Sequence, residues 1–122
     1  MNRTAHPKEQ ADNVLIQDDK IIKIKKNILK YEKFQLRGEF IGLMKLSEKG
    51  TKIFVKKYNQ MLEFHKGKFQ DAPSLNKAYL TDLIQELIDS EIEVLPIFID
   101  GKWSEIDTPQ DLEKARNYFN PN

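Results

Sequence analysis

The alternation of apolar and polar positions near the start of the chain predicts a β-hairpin. Asn13–Gln17 is largely apolar, residues 18–20 form a polar turn, and residues 21–25 alternate with period two. Ile22 and Ile24 are predicted to share one face of the second strand, which leaves Lys23 and Lys25 on the other. This pattern is typical of a half-buried hairpin.

The middle of the chain predicts one buried strand and two helices. Residues 39–46 are apolar on both faces, as in a strand covered on both sides, and Gly42 within it suggests a close approach to the backbone. Ser47 is a suitable N-cap for the following helix, and Gly67 is expected to end it. After a polar loop at 68–73, a second amphipathic helix is expected from about residue 74 to residue 90.

The last third of the chain predicts a second hairpin followed by a capped helix. Residues 92–99 have the composition of a strand, and Asp100-Gly101 is a strong turn signal that returns the chain into residues 102–106. Thr108 is a good N-cap, and proline fits the first helical position that follows it. The final helix is therefore predicted to start at residue 109 and to end near residue 119.

This order of elements predicts an α/β fold with a mixed sheet. Residues 1–12 are expected to form a polar N-terminal arm, and residues 13–122 to form the folded body. A strand that is buried on both faces needs neighbours and cover that 110 residues scarcely provide. We therefore expect the chain to be part of a larger domain.

Composition excludes several classes of protein. Twenty basic and nineteen acidic residues give a net charge of +1, so charge alone does not indicate a nucleic-acid or membrane partner. The absence of cysteine excludes disulfides, thiolate metal sites and a cysteine nucleophile. No signal peptide or membrane-spanning run is evident, and a cytoplasmic protein is the default expectation.

Asp107 is the main candidate for chemistry. It is predicted to lie at the end of a strand and just before a helix N-terminus, a common position for ligand sites in α/β proteins. A carboxylate there can bind Mg²⁺ while phosphate and water complete the coordination. It can also simply stabilise the helix dipole, and from spacing alone that role is the more common.

Other candidates leave alternatives open. Glu39 begins the predicted buried strand and either binds a polar ligand or reaches solvent. Six lysines between Lys20 and Lys33, with two aromatic residues among them, are compatible with phosphate or RNA binding, although a solvated strand face is the usual explanation. His6 and His65 have no metal-ligand spacing, and no catalytic triad, phosphate-binding loop or dinucleotide fingerprint is present.

Three segments nevertheless resemble one enzyme family. Residues 38–47 (GEFIGLMKLS), 78–88 (AYLTDLIQELI) and 103–112 (WSEIDTPQDL) are similar, in this order, to the C-terminal half of sugar-phosphate nucleotidyltransferases. The likeness is greatest to cholinephosphate cytidylyltransferases and to the nucleotidyltransferases associated with phosphoenolpyruvate mutase. It extends over about residues 13–119.

The resemblance implies an incomplete Rossmann-like α/β/α sandwich and a set of site residues. Asp107 matches a carboxylate that binds the catalytic Mg²⁺, and Glu39 matches a residue that contacts the acceptor substrate. Lys26, with Lys25 as the second choice, matches a substrate-binding lysine, and Gly42 lies in the same acceptor-side segment. Such enzymes transfer a nucleotidyl group from a nucleoside triphosphate to a phosphorylated or phosphonylated small molecule and release pyrophosphate.

The chain also departs from that family. The glycine-rich nucleotide loop and the first metal-binding aspartate are missing from it. We therefore expect the acceptor-side portion of a nucleotidyltransferase that is inactive alone and works with a missing N-terminal half. The alternative is a non-catalytic interaction or assembly module that retains the fold and serves a partner or a self-associated dimer.

Overall fold

A computed structural model describes residues 12–26, 34–101 and 103–120 of the chain. The described part contains a three-stranded sheet, three α-helices and one turn of 3₁₀-helix at Leu75–Lys77. The strands are β1 (Asn13–Gln17), β2 (Lys20–Lys25) and β3 (Leu36–Glu39), and the helices are α1 (Glu48–Phe64), α2 (Leu80–Asp89) and α3 (Pro109–Phe119).

The predicted N-terminal hairpin is confirmed. Asp18 and Asp19 connect β1 to β2 with φ angles of 53° and 61°, the left-handed values that a tight two-residue hairpin turn requires. The pairing shifts by one residue beyond the turn, so that Ile16 lies opposite Ile21 and Val14 opposite Ile24. Because of this bulge, Ile21 rather than Ile22 joins Ile24 on the core side.

The described sheet is antiparallel, with β1 between β2 and β3. Its core-facing residues on β1 and β2 pack against α2 through Val14, Ile16, Ile24 and Ile84. These four side chains are at most 5% exposed, which makes this contact the centre of the hydrophobic core.

The outer edge of β2 is bonded to groups that are not part of a strand. The Ile21 N–H donates to the Val94 carbonyl at 2.9 Å. The Ile24 N–H donates to the side-chain oxygen of Gln85 on α2 at 2.8 Å. The two contacts satisfy buried donors at a sheet edge and hold α2 and residue 94 against it.

The predicted caps of α1 and α3 are confirmed. The Ser47 hydroxyl accepts the Gly50 N–H at 2.9 Å, and the Thr108 hydroxyl accepts the Asp111 N–H at 3.1 Å. The α1 helix ends at residue 64, before Gly67, and the predicted helix at 74–90 is divided into the 3₁₀ turn and the shorter α2.

Three predicted strands are wrong in extent or in existence. In place of the strand expected at residues 39–46, the structure has the shorter β3, which ends at Glu39, and residues 40–46 have no regular structure. Residues 92–99 and 103–106 also form no strand, and residue 102 lies outside the described residues. A strand needs a neighbour that pairs with it along its length, and in the described chain these segments make only single backbone contacts with the sheet, at Phe40 and Val94.

The α/β class itself is confirmed, since α2 packs on a small sheet and two further α-helices follow in the described residues. The mixed sheet depended on the strands at 92–99 and 102–106, and the sheet in the described residues is antiparallel. None of the helices described is long and apolar enough to cross a membrane. Residues 1–11 of the predicted arm lie outside the described residues, and the arm stays a prediction.

Candidate functional site

One end of the sheet collects the polar residues that the sequence singles out. Asn13, the first residue of β1, lies opposite Lys25 at the end of β2 and opposite Glu39 at the end of β3. The Phe40 N–H donates to the Asp12 carbonyl at 2.8 Å, which extends the β1–β3 contact by one residue. Lys26 and Glu39 are therefore brought to the same end of the sheet.

Asn13 fixes the backbone at this end. Its side chain is 4% exposed, and its amide donates to the Lys26 carbonyl. Its carbonyl oxygen accepts from Arg37 Nε at 3.1 Å and from Arg37 Nη2 at 2.6 Å. A buried amide with both ends bonded holds the residue after β2 and Arg37 of β3 to β1.

The two faces of the sheet divide the predicted substrate residues. Paired residues share a face and neighbours along a strand alternate, so Asn13 and Glu39 are on one face, and Asp12 and Phe40 are on the other. Phe40 packs on the core beneath α2, which identifies the second face as the one that α2 covers. One oxygen of Glu39, Oε2, is shielded from solvent.

Lys26 lies on the α2 side, against an aromatic ring. Its ammonium is 5.4 Å from the centroid of the Tyr79 ring, a cation–π distance. Tyr79 immediately precedes α2 and is 70% exposed, while its backbone N–H donates to Asp82 at 2.9 Å. The ring and the lysine therefore line the approach to the N-terminus of α2.

Asp12 is the second charged group on this side. Burial raises the pKa of its carboxyl, the positive charge of Lys26 opposes that effect, and the charges of Glu105 and Asp82 add to it. Its Oδ1 atom is shielded from solvent and has no hydrogen-bond donor among the described residues. The charges of Lys26 and Glu105 thus act on Asp12, and we call Asp12, Lys26, Tyr79 and Glu105 the strand-end corner.

Asp107 lies two residues beyond this corner, at the start of α3. Two extended residues span at most about 7 Å, so Asp107 is close to Glu105 along the backbone. Its N–H donates to Asp111 at 3.1 Å, and the Asp111 carboxylate also accepts the Thr108 N–H at 3.1 Å. Asp111 completes the capping box, and the exposed carboxylate of Asp107 is not part of it.

Gly42 follows β3 by three residues and is exposed. Its φ of +86° explains why glycine is used there, since other residues adopt this conformation at a cost. Among the described residues, apart from its chain neighbours, nothing lies within 4 Å of the position that a Cβ would occupy. The close approach that the sequence suggests is therefore not made by any of these residues.

The residues compatible with a metal are few. No group of three or more carboxylate or imidazole side chains in the described ranges is placed to hold a metal ion. Mg²⁺ commonly binds through one or two carboxylates and takes its other ligands from phosphate and water. The exposed carboxylate of Asp107 therefore suits an open Mg²⁺ site of this kind. It does not suit a site in which every metal ligand comes from the protein.

The sequence does not identify Asp12 or Tyr79 as members of the corner. Asp12 falls in the predicted polar arm at residues 1–12, and Tyr79 falls inside the helix predicted at residues 74–90. The available signals were local: Asp12 directly precedes a strand, and Tyr79 precedes Asp82 at capping-box spacing. Their proximity to Lys26 depends on how α2 packs against β2.

Comparison with known proteins supports a nucleotidyltransferase-like relationship. The chain is 30% identical over 111 residues to CTP:phosphoglutamine cytidylyltransferase of Campylobacter jejuni, a match that covers 91% of this chain. The chain spans 42% of the length of that curated relative. No family model matches the chain, and no solved structure matches it.

The match includes the whole candidate site. Any continuous stretch of 111 residues in a chain of 122 must include residues 12–111. The strand-end corner, Glu39, Gly42 and Asp107 thus all fall within it. Both the sheet end and the start of α3 lie in a part of the chain that is similar to a cytidylyltransferase.

Proposed function

We propose that this chain is the acceptor-side portion of a Mg²⁺-dependent nucleotidyltransferase. The complete enzyme transfers a nucleotidyl group from a nucleoside triphosphate to a phosphorylated or phosphonylated small molecule and releases pyrophosphate. The observation that carries the proposal is the sheet end at which Asn13 pairs with Lys25 and Glu39, and at which Lys26 lies against the Tyr79 ring, inside the stretch similar to a cytidylyltransferase. Because that relative is named for CTP, cytidylyl transfer is the first reaction to test.

The reaction is an in-line displacement at phosphorus. An oxygen of the acceptor phosphate forms a bond to the α-phosphorus, the bond from that phosphorus to the bridging oxygen breaks, and the electron pair leaves with pyrophosphate. No covalent enzyme intermediate is needed, so the protein contributes positioning and charge.

Each predicted residue has a defined part in this proposal. Lys26 binds the acceptor phosphate, and the Tyr79 ring holds its ammonium in place beside α2. Glu39 accepts hydrogen bonds from the rest of the acceptor at the same sheet end, and the open space at Gly42 lets the acceptor approach the backbone. Asp107 supplies a carboxylate oxygen to Mg²⁺, which when bound neutralises charge on the triphosphate.

Activity assays test the proposal in two stages. Pyrophosphate release is measured with CTP and with other nucleoside triphosphates, using phosphocholine, a sugar phosphate and phosphoglutamine as acceptors. The chain alone is expected to be inactive, and activity is expected only when a nucleotide-binding segment is provided. Full turnover by the isolated chain would show that no further segment is required.

Metal binding gives a readout that does not depend on turnover. Mn²⁺, used as a paramagnetic probe in the Mg²⁺ site, is expected to broaden the NMR signals near Asp107 in the wild-type chain. Asp107→Ala removes the ligand and should abolish this effect, whereas Asp100→Ala, an exposed carboxylate outside the site, should retain it. Equal broadening in both variants excludes Asp107 as the ligand.

Lysine variants test the acceptor role in the active system. Lys26→Ala is expected to raise the KM for the acceptor more than the KM for the nucleotide, because it removes a charge that meets only the acceptor phosphate. Lys49→Ala, on the exposed start of α1, is the matched control and should leave both constants unchanged. Equal effects of the two variants contradict the assignment of Lys26.

A second candidate function is a non-catalytic assembly module. The large apolar side chains exposed between residues 95 and 99 are typical of a surface that binds another protein. Light scattering tests this candidate in its self-associating form, and a strict compact monomer counts against it. If the chain binds CTP or an acceptor when a nucleotide-binding segment is provided, this result favours the enzyme over the assembly module.

A further inference from the structure

The chain just beyond the end of β2 is held by a side chain of the neighbouring strand. Lys25, the last residue of β2, pairs with Asn13, the first residue of β1, and this pair ends the β1–β2 ladder. Lys26 is the next residue, and its backbone carbonyl accepts a hydrogen bond from the side-chain amide of Asn13. The Asn13 side chain thus extends the hold of β1 on this part of the chain by one residue.

Arg37 of β3 fixes which end of the Asn13 amide faces Lys26. Its guanidinium donates to the Asn13 side-chain oxygen through Nε at 3.1 Å and through Nη2 at 2.6 Å. Arginine has donors and no acceptor, so the amide oxygen must face the guanidinium, and the amide nitrogen is left to donate to the Lys26 carbonyl. Asn13 is 4% exposed, so water does not readily replace these bonds.

Lys26 is therefore held at both ends of its side chain. Asn13 holds its backbone, and the Tyr79 ring lies with its centroid 5.4 Å from the ammonium. The backbone of Tyr79 is fixed in turn, because its N–H donates to the Asp82 carboxylate at 2.9 Å in the cap of α2. A lysine side chain without such restraints loses rotamer freedom when it binds a ligand, which weakens the binding. Restraints that are already present reduce this loss.

We propose that Asn13 and Arg37 are positioning residues for Lys26. They act through the Lys26 backbone and set where its ammonium meets the phosphate of the acceptor, and neither of them contacts the acceptor in this proposal. This inference rests on the proposed function, from which it takes the binding of the acceptor phosphate by Lys26. The acceptor phosphate then meets an ammonium whose position is set by side chains on β1 and β3.

The position of the Lys26 side chain can be measured in the full chain without any turnover. Protons near the face of an aromatic ring give NMR signals that are shifted upfield. The side-chain signals of Lys26 are therefore expected upfield of those of the exposed Lys49. Tyr79→Leu removes the ring and should abolish this upfield shift. If Tyr79→Leu leaves the Lys26 signals where they are, the ammonium is not held at the ring and the proposal fails.

Two variants remove the positioning residues and leave Lys26 and Tyr79 in place. Asn13→Leu keeps the branched shape of the side chain and removes the hydrogen bond to the Lys26 carbonyl. Arg37→Met keeps a long side chain at an exposed position and removes both donors to the Asn13 oxygen. The upfield shift of the Lys26 signals is expected to be lost in Asn13→Leu and reduced in Arg37→Met.

Matched controls separate positioning from general effects on the chain. Asn59→Leu on α1 and Arg116→Met on α3 make the same chemical changes at exposed positions and should leave the Lys26 signals unchanged. Equal signals in each variant and its control would overturn the proposal. If Asn13→Leu does not fold, Arg37→Met decides the question in the same way, because its side chain is exposed and its removal leaves the buried amide in place.

Kinetic constants give a second readout when a nucleotide-binding segment is provided. Asn13→Leu is expected to raise the KM for the acceptor about tenfold or more and to leave the KM for the nucleotide nearly unchanged. Because Asn13 acts through Lys26, the same substitution should have little further effect on the acceptor KM in a Lys26→Ala background. A purely structural role of Asn13 predicts equal rises in the two KM values, or effects that add to those of Lys26→Ala, and either result excludes positioning.

Positioning and function can fail independently in this design. If Asn13→Leu abolishes the upfield shift, but the chain with a nucleotide-binding segment releases no pyrophosphate with any acceptor, the result supports the positioning of Lys26 and counts against the proposed activity. If the system is active and Asn13→Leu behaves like Asn59→Leu, the result supports the activity and excludes Asn13 as a positioning residue.

Discussion

Replacing Gln85 with methionine tests the hydrogen bond that joins α2 to the sheet. Gln85 is 8% exposed, and its oxygen accepts the N–H of Ile24, which is 2% exposed, at 2.8 Å. Its amide nitrogen donates to Asp89 at 2.9 Å on the same helix. Methionine has a similar volume and flexibility but cannot accept the backbone N–H well.

The magnitude of the effect follows from the donor that is left behind. A buried N–H without an acceptor costs about 1–3 kcal/mol, because the group was desolvated on folding and regains no partner. Unfolding entropy scales with length, so for a chain of this size each kcal/mol corresponds to roughly 3–4 °C in Tm. We therefore expect Gln85→Met to lower Tm by about 3–12 °C.

Thermal unfolding followed by circular dichroism measures the loss, and amide exchange by NMR localises it. The Ile24 amide is expected to exchange faster in Gln85→Met, while the amides of α1 are unaffected. Gln60→Met, at an exposed position of α1, is the matched control and should change Tm by less than about 2 °C. If both variants behave alike, or if the Ile24 amide stays protected, the side-chain bond does not hold this edge.

Three further predictions concern a helix end and two carboxylates. Glu91 ends α2 with a φ of +64° in a Schellman motif, so Glu91→Gly should stabilise the chain by about 1 kcal/mol, whereas Glu63→Gly inside α1 should destabilise it by a similar amount in urea unfolding. Burial raises the pKa of Asp12 above its ordinary 3.8, so ionisation of its carboxyl opposes folding as pH rises from 3.8 through the raised pKa. Asp12→Asn should therefore raise Tm at pH 7, and this gain in Tm should disappear below pH 3.8. A gain that is constant across pH contradicts ionisation of Asp12 as its cause. Hydrogen bonds from the Asp107 and Thr108 amides lower the pKa of Asp111, so the contribution of its carboxylate to stability is complete above pH 3.8 and is lost as pH falls through the lowered pKa. Asp111→Asn should therefore reduce Tm at pH 7, and this reduction should shrink towards pH 2. A reduction that persists at pH 2 excludes the charge of Asp111 as its cause.

The sequence by itself determined the elements that short-range interactions stabilise. The β1–β2 hairpin follows from alternation and from two aspartates that tolerate positive φ in its turn. The starts of α1 and α3 follow from Ser47 and Thr108, whose hydroxyls accept hydrogen bonds from N–H groups three residues away. These interactions involve neighbours in sequence, so pattern alone predicts them well.

The residues of the candidate site were predicted in part. Lys26, Glu39 and Asp107 were chosen from the resemblance, and their functional roles stay predictions. The sequence did not predict that Lys26 lies on the face covered by α2 while Glu39 lies on the other. That division depends on strand register, which a one-residue shift reverses.

Only the tertiary structure decided which apolar segments become strands and which residues meet at the sheet end. Residues 39–46 and 92–99 have the composition of buried strands, yet apart from the end of β3 they form none in the described chain. A strand is stable only when a neighbour pairs with its backbone and another layer covers its side chains, and neither condition is encoded locally. The roles of Asp12 and Gln85 also depend on long-range packing. The charge of Lys26 acts on Asp12, and the Ile24 N–H donates to Gln85.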